Sequence, residues 1–427
     1  MQRLDYPQIG ESCYYQHLEN GLNAFVISKP GYAKAMAMLA VNYGGMDARF
    51  TLDGQLQDTP EGIAHYLEHK MFEMRQGSAL TWLSQAGASV NAFTAKDITA
   101  YHFTCTNRFE ENLRTLIRFV STPWFTRESV DKERGIIGQE IRMYRDDPGH
   151  RVYENLLSNL YSAHPIRRSI LGDEDSIARI TPEVLYSLHA AFYVPENMVL
   201  VVVGDVDPRM VFDTARMALR PGEHPEIRRE LGAEEGAEAF RETVREEMEV
   251  PEPTFLLGCK AKPFPRGEEG ERMSLLASLS AELLCGQGSP LYARLYEDGL
   301  IRKDFYAGAL QYPGAAMLVF GGDSPDPEAV SAALFEEAAR LGREGAEPER
   351  FRRILRSEYG GMVRSLNSFD SLCIQVVRGW FGGFDALDFA GLYSTFTMEE
   401  AVRLLTDTLQ RQKSCLSVVS PKKEGAL

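Results

Sequence analysis

The 427-residue chain is 44% hydrophobic and 25% charged, an ordinary globular composition and long enough for two to three domains. Its formal net charge of −15 speaks against a nucleic-acid partner, which calls for a basic face. The longest clean apolar run, residues 198–203, is far too short to span a bilayer, and residues 1–7 have no apolar core; the expectation is a cytoplasmic protein with no secretory signal and no membrane contact.

Six scattered cysteines, with no C-x-x-C among them, read as free and mostly buried thiols in a reducing compartment. A cysteine-based metal site is thereby set aside.

In chain order, residues 14–27 and 33–43 read as strands, with turns at Asn20-Gly21 and around Pro30-Gly31. Gly44-Gly45 and the polar stretch to Pro60 read as a loop. Thr59 as N-cap, with Pro60 at the first helical position, then opens a helix. That helix carries His65-Tyr66-Leu67-Glu68-His69. On a helix, His65 and His69 project from one face about a turn apart, the spacing two imidazoles need to hold one metal ion. Glu68 reaches the same face. The order H-x-x-E-H is the inverse of the H-E-x-x-H zinc-peptidase helix. Taken alone, the pentad also fits two histidines satisfied by hydrogen bonds on an ordinary helix.

Residues 80–86 read as a short helix ended by Gly87, residues 90–94 and 99–104 as strands, and residues 111–120 as a helix. His102 falls on the face of its strand opposite Tyr101 and Phe103 and reads as structural. A longer helix is predicted over residues 126–144. Its apolar side chains Val130, Ile136, Ile137, Ile141 and Tyr144 form a stripe, and Glu133 and Glu140 fall on or beside it. A carboxylate on a buried face is costly unless it is paired or binds a cation. Two of them, two turns apart, suggest a cation between this helix and another, and catalytic zinc usually takes three protein ligands. The plainer alternative is that both glutamates reach solvent from the edge of the stripe. Asp146 and Asp147 read as a turn pair before Pro148. Helices follow at residues 153–161 and after Thr181-Pro182, the second carrying a structural His189. A strand at 198–203 leads to Gly204-Asp205.

Residues 221–250 change character, with Pro, Gly and many Glu, and read as a charged linker. Beyond it, residues 254–261 read as a strand. The run 317–320, Gly322-Asp323 and Asp326-Pro327 echoes Gly204-Asp205 and Asp207-Pro208, a hint that the second half repeats the first. No H-x-x-E-H recurs there.

With these residues in view, the sequence resembles the insulinase-type (pitrilysin, M16) zinc metallopeptidases. Their pattern is H-x-x-E-H followed some seventy-odd residues later by a ligand glutamate, with another glutamate seven before it. Here 70 residues separate His69 from Glu140, slightly short of the usual gap. The stretch from Gly87 to Thr94 resembles the family's substrate strand, and that from Asn197 to Asp205 the strand closing its first domain. The resemblance implies an α+β protein of two homologous domains, each a mainly antiparallel sheet packed with helices. It places an N-terminal peptidase domain at 1–220, the linker at 221–250 and a C-terminal domain without a metal site at 251–427. It implies one Zn2+ per chain on His65, His69 and Glu140, Glu68 as general base, Glu133 supporting a ligand, and Asn91, Ala92 and Phe93 receiving peptide. Two imidazoles and a carboxylate would also hold Mn, Co or Ni.

The resemblance also exposes a gap. Active members place an Arg and a Tyr, seven apart, in a later domain; here those positions hold Tyr296 and Lys303. The expectation is a zinc-dependent endopeptidase acting on extended or unfolded peptides. A related subunit supplies the pair in a heterodimer, or a second copy completes a homodimer. The alternative is a weak or inactive metal-bearing subunit that serves assembly or holds peptide.

Overall fold

The computed structural model describes residues 1–219, 226–232 and 234–422. The first half opens with strands β1 (Gln2–Tyr6), β2 (Glu11–His17), β3 (Asn23–Ser28), β4 (Ala35–Val41), β5 (Arg49–Leu52) and β6 (Gln55–Asp58). Helix α1 (Ile63–Met71), short strands β7 (Glu73–Met74) and β8 (Gly77–Ser78), helix α2 (Ala79–Gln85) and strands β9 (Ala88–Thr94) and β10 (Thr99–Cys105) follow. Then come helices α3 (Phe109–Ser121), α4 (Arg127–Arg145), α5 (Pro148–Leu160), α6 (Glu174–Ala178) and α7 (Pro182–Phe192), strand β11 (Met198–Gly204) and helix α8 (Pro208–Ala218).

The second half has strands β12 (Ile227–Arg229), β13 (Thr243–Met248) and β14 (Thr254–Ala261), helices α9 (Glu268–Cys285) and α10 (Pro290–Glu297), and strands β15 (Tyr306–Tyr312) and β16 (Ala315–Asp323). It ends with helices α11 (Pro327–Glu344), α12 (Pro348–Ser365), α13 (Phe369–Gly382), α14 (Phe389–Leu392) and α15 (Met398–Thr408) and strand β17 (Ser414–Pro421).

These elements form two α+β units. The first contains Met1–Ile141, Ser169–Glu230 and Val363–Ala390; the second contains Arg142–Arg168, Leu231–Met362 and Gly391–Leu427. The first is built on a seven-stranded sheet in the order β1-β2-β3-β11-β4-β10-β9. The second is built on a five-stranded sheet in the order β13-β17-β14-β16-β15. Each contains one parallel pair, β3 with β11 and β13 with β17; the other pairings are antiparallel.

The repeat is legible in the strand orders. Number β3, β4, β9, β10 and β11 in chain order and their spatial order is first, fifth, second, fourth, third; β13 to β17 give the same order. The echo seen in the sequence therefore matches strands that are not equivalent. Gly204 ends the fifth strand of one unit, whereas Gly322 lies in the fourth of the other. What the two stretches share is capping chemistry: Asp207 and Asp326 each cap a helix with Pro at its start.

Neither unit is one stretch of chain, because each takes a helix from the other half. Helix α13 packs on β4 and β11 of the first unit, where Trp380 lies against Tyr15 and Phe25 with ring centroids 5.7 and 5.4 Å apart. Helix α5 packs on the equivalent strands β14 and β17 of the second. Gly258 leaves room for it: a Cβ there would lie 2.8 Å from Leu156. Strands β4 and β11 are buried at every residue, as apolar runs in the middle of a covered sheet should be.

Three sequence expectations are corrected. The stretch 44–60 contains the β5–β6 hairpin, turned by Asp53-Gly54 with φ of 48° and 81°. Helix α1 begins after Gly62, not Thr59, whose hydroxyl instead donates to the Ala48 carbonyl. Part of the expected linker is sheet: β12 pairs with β5, and β13, whose side chains alternate between exposed and half-buried, pairs with β17. Residues 221–225 and 233 of that stretch lie outside the described residues. No helix among the described residues is long and apolar enough to cross a membrane.

Candidate metal centre

The helix that carries the H-x-x-E-H pentad starts at a left-handed Gly62 (φ 86°), where a Cβ would lie 2.3 Å from the Leu171 carbonyl oxygen. Glycine is the residue that fits such a turn. From that start, His65 and His69 fall on one face, their ring centroids 4.5 Å apart. Helix α4 is tied against α1 by buried bonds. The Tyr66 hydroxyl donates to the Val130 carbonyl, and the buried Lys70 ammonium donates to the Ser129 carbonyl at 3.2 Å. Lys70 also pairs with Glu73 and faces Glu133 Oε2 at 3.8 Å. The α4 stripe is narrower than expected: Val130, Ile137 and Ile141 are buried, but Ile136 is exposed.

This packing brings Glu140 to the two histidines. His65 Nε2 lies 3.7 Å from Glu140 Oε1, and His69 Nε2 lies 3.6 Å from Glu140 Oε2. One donor atom from each of the three residues falls within 4.8 Å of the others, and among the described residues this is the one His/Cys/Asp/Glu group that can hold a metal ion. The gaps are too long for good hydrogen bonds. Two ligands each about 2.1 Å from a tetrahedral zinc sit roughly 3.4 Å apart, which is close to these spacings.

The protonation pattern suits the same purpose. His69 Nδ1 donates to Glu133 Oε1 at 3.0 Å, which leaves the Nε2 lone pair facing Glu140. Burial, and then the neighbouring His69, push His65 down to about 3, so it is a neutral imidazole near neutral pH. Its buried Nδ1 has no hydrogen-bond partner among the described residues. Burial pulls His69 down, but the Glu133 bond and the charges of Glu68, Glu133 and Glu140 outweigh it and raise its pKa. Burial drives Glu133 upward, yet the His69 bond and the Lys70 charge bring it below its usual value. Burial raises both Glu68 and Glu140. Crowded carboxylates around a neutral imidazole are a setting that a bound cation would stabilise. The residues present therefore fit a zinc ion on His65, His69 and Glu140.

Glu68 is buried, and the Thr94 hydroxyl donates to its Oε2 at 3.0 Å. Thr94 ends β9, the edge strand of the seven-stranded sheet, whose one paired neighbour among the described residues is β10. Asn91, Ala92 and Phe93 lie on that strand; Asn91 is exposed, and its Oδ1 accepts the Ala92 N–H at 2.9 Å. Sequence reasoning missed Lys70, and it placed Thr94 in the substrate-strand stretch without foreseeing its bond to Glu68. Lysine next to a ligand histidine reads as an ordinary helix cation until its burial is seen, and nothing in a strand's alternation singles out Thr94.

The remaining candidates fall elsewhere. His189 Nε2 donates to the Val120 carbonyl at 2.9 Å within the core, and Asp147 caps α5. His102 Nδ1 lies 4.0 Å from Asp370. In the second unit, Tyr296 stacks on Tyr292, whose hydroxyl donates to the Lys303 carbonyl at 3.2 Å. All six cysteines are buried and free.

Residues 52–174 match the family model "Insulinase (Peptidase family M16)", and residues 179–358 match "Peptidase M16 inactive domain". The chain is 36% identical over 425 residues to "Uncharacterized zinc protease YmfH" of Bacillus subtilis (strain 168), covering 98% of this chain and 99% of that protein. The crystal structure of a putative M16-like peptidase from Alicyclobacillus acidocaldarius superposes with a TM-score of 0.93 at 32% identity, covering 98% of this chain and all of that one. Pitrilysin shares the fold, with a TM-score of 0.74 at 18% identity over 96% of this chain and 45% of its own. Fold and relatives define a two-domain α+β protein of the peptidase kind. The chain belongs to peptidase family M16, the insulinase family.

Proposed function

We propose that this chain is a zinc-dependent metalloendopeptidase that cleaves extended or unfolded peptides in the cytoplasm, with one Zn2+ per chain held by His65, His69 and Glu140. The observation that carries the reading is the facing of two imidazole Nε2 atoms and one carboxylate across gaps of 3.6–3.7 Å, with His69 oriented by Glu133. Zinc in such a site supplies Lewis acidity, polarising a carbonyl and making water acidic near neutral pH. Glu68 is the general base: its buried carboxylate takes the proton from the attacking water and returns it to the leaving amine. Glu133 keeps the Nδ1 proton on His69 and so aims its Nε2. The unpaired edge of β9 at Asn91, Ala92 and Phe93 receives the peptide by strand addition, which gives affinity while reading little sequence. The Asn91 side chain covers the Ala92 N–H and swings away when peptide pairs there.

The chain works with a second family subunit that closes a chamber around the peptide and supplies the Arg/Tyr pair absent at Tyr296 and Lys303. That this chain spans 45% of pitrilysin leaves room in that longer protein for a second such unit, which supports a paired arrangement. The pair's absence also motivates the second reading, a metal-bearing subunit that is weak or inactive and serves assembly or peptide holding. Cleavage of an unfolded peptide, with and without a related family subunit, tests the proposal. Activity that chelator removes, that zinc restores and that Glu68→Gln abolishes while keeping its zinc supports the enzyme. Zinc-loaded protein that cleaves nothing with either partner arrangement supports the second reading.

A further inference from the structure

Glu68 is 7% exposed, and a carboxylate so placed needs a hydrogen-bond partner to stay in one orientation. Its hydrogen-bond partner among the described residues is the Thr94 hydroxyl, which donates to Oε2 at 3.0 Å. Thr94 is β-branched and stiff about its first side-chain torsion. It sits in a strand whose register with β10 is continuous from Ala88 to Thr94, with Thr94 opposite Thr99. The donor is therefore rigid, and α1 itself packs on β9. With Oε2 held, Oε1 is the oxygen left to exchange a proton. Alternation along the strand puts Thr94 on the same face as Ala92, so the base is bonded to the strand whose edge is offered to peptide.

We propose that Thr94 is a positioning residue: its hydroxyl holds Oε2 of Glu68, presents Oε1 for proton transfer, and couples the base to the peptide-receiving strand. This inference rests on the reading of Glu68 as the general base. It concerns orientation, so its signature is a loss in the rate of the bound complex rather than in zinc or peptide binding.

The test compares wild type, Thr94→Val, Thr94→Ser and Glu68→Gln for bound zinc, KM and kcat on an unfolded peptide, alongside crystal structures of the zinc-loaded proteins. Thr94→Val is expected to keep its zinc and KM and lose about 10²-fold in kcat, the cost of misplacing a reacting group by about 1 Å. Thr94→Ser, which keeps the hydroxyl, is expected to recover most of that loss. In the crystal structures the Glu68 carboxylate leaves its position in Thr94→Val and keeps it in Thr94→Ser. Full kcat in Thr94→Val beside an inactive Glu68→Gln overturns the proposal, as does a loss confined to KM or zinc content. Full activity in Glu68→Gln instead removes the general-base reading beneath it. If wild type alone does not turn over, the structures decide: an unmoved carboxylate in Thr94→Val overturns the proposal.

Discussion

Glu133 bears on the proposed metal centre through the histidine it contacts. One of its oxygens accepts a hydrogen bond from His69 Nδ1–H at 3.0 Å, and the other faces the Lys70 ammonium at 3.8 Å. Lys70 in turn reaches the first turn of α4 at Ser129. Replacing Glu133 by Ala frees the His69 ring and is expected to weaken zinc binding about 10- to 100-fold, as loss of such supporting groups does. Competition with a chromophoric chelator reads this directly; unchanged affinity would show that Glu133 orients nothing.

A second carboxylate belongs to stability. Burial pushes Glu235 up, but the Lys260 ammonium at 2.7 Å and the backbone N–H groups of Ser162, Ala163 and His164 hold it at about 2. Its folded pKa is below its unfolded value of about 4.3, so it stabilises fully above that value and the contribution is lost as pH falls towards 2. Urea unfolding at pH 7 and pH 3 should show a larger loss for wild type than for Glu235→Gln. Lys260→Met removes the charge partner of Glu235 and the donor to the Gly236 and Glu238 carbonyls, and is expected to cost about 3 kcal/mol at neutral pH.

At the scale of elements, the placement of α1 depends on a backbone conformation that only glycine takes up easily. Gly62→Ala would put a Cβ 2.3 Å from the Leu171 carbonyl oxygen in a left-handed turn. The expected result is at least about 1–3 kcal/mol of destabilisation, read as a lower Tm, together with weakened zinc binding because His65 begins one turn later. A wild-type Tm and zinc affinity would contradict this.

Which elements were legible follows from the same physics. Strands and helices with a strong local signal stood out: β14 over residues 254–261, α2 before Gly87, α7 capped by Thr181 with Pro182. The start of α1 did not, because Thr59-Pro60 has the chemistry of a cap while tertiary contact at Leu171 chose Gly62. The Asp53-Gly54 turn was a readable hairpin signal, hidden by the polarity of the strands it joins. β13 was hidden likewise: its Glu-rich sequence has the composition of a linker, and its parallel pairing with β17 is a contact between residues far apart in the chain. Of the proposed ligands, His65 and His69 were legible as a pair because helical spacing gathers them locally. The helical stripe marks Glu133 and Glu140 alike, and only the resemblance to the insulinase family told Glu140 from Glu133 as the third candidate. Thr94 and Lys70 needed the packing of α1 on β9 and α4.

The whole molecule is two copies of one strand order, each completed by a helix from the other half of the chain. Residues 1–230 alone would lack α13 and leave the apolar β4–β11 surface uncovered. That fragment is expected to aggregate or to lack cooperative unfolding, whereas the full chain unfolds cooperatively; a soluble fragment with a sharp urea transition would contradict the account. The exchange means that neither compact unit is a contiguous half of the chain. Loops and linkers are local in sequence, but the covering of a sheet face is not.

The claim on which the functional reading stands is the three-residue metal centre. Its most direct test is elemental analysis of bound metal in the native protein, purified without chelator, and in the Glu140→Gln and His65→Ala variants. The account predicts about one zinc per native chain, lost or greatly weakened in both variants. Native protein without zinc would contradict the metal centre itself, and zinc that survives in Glu140→Gln would contradict the assignment of the third ligand.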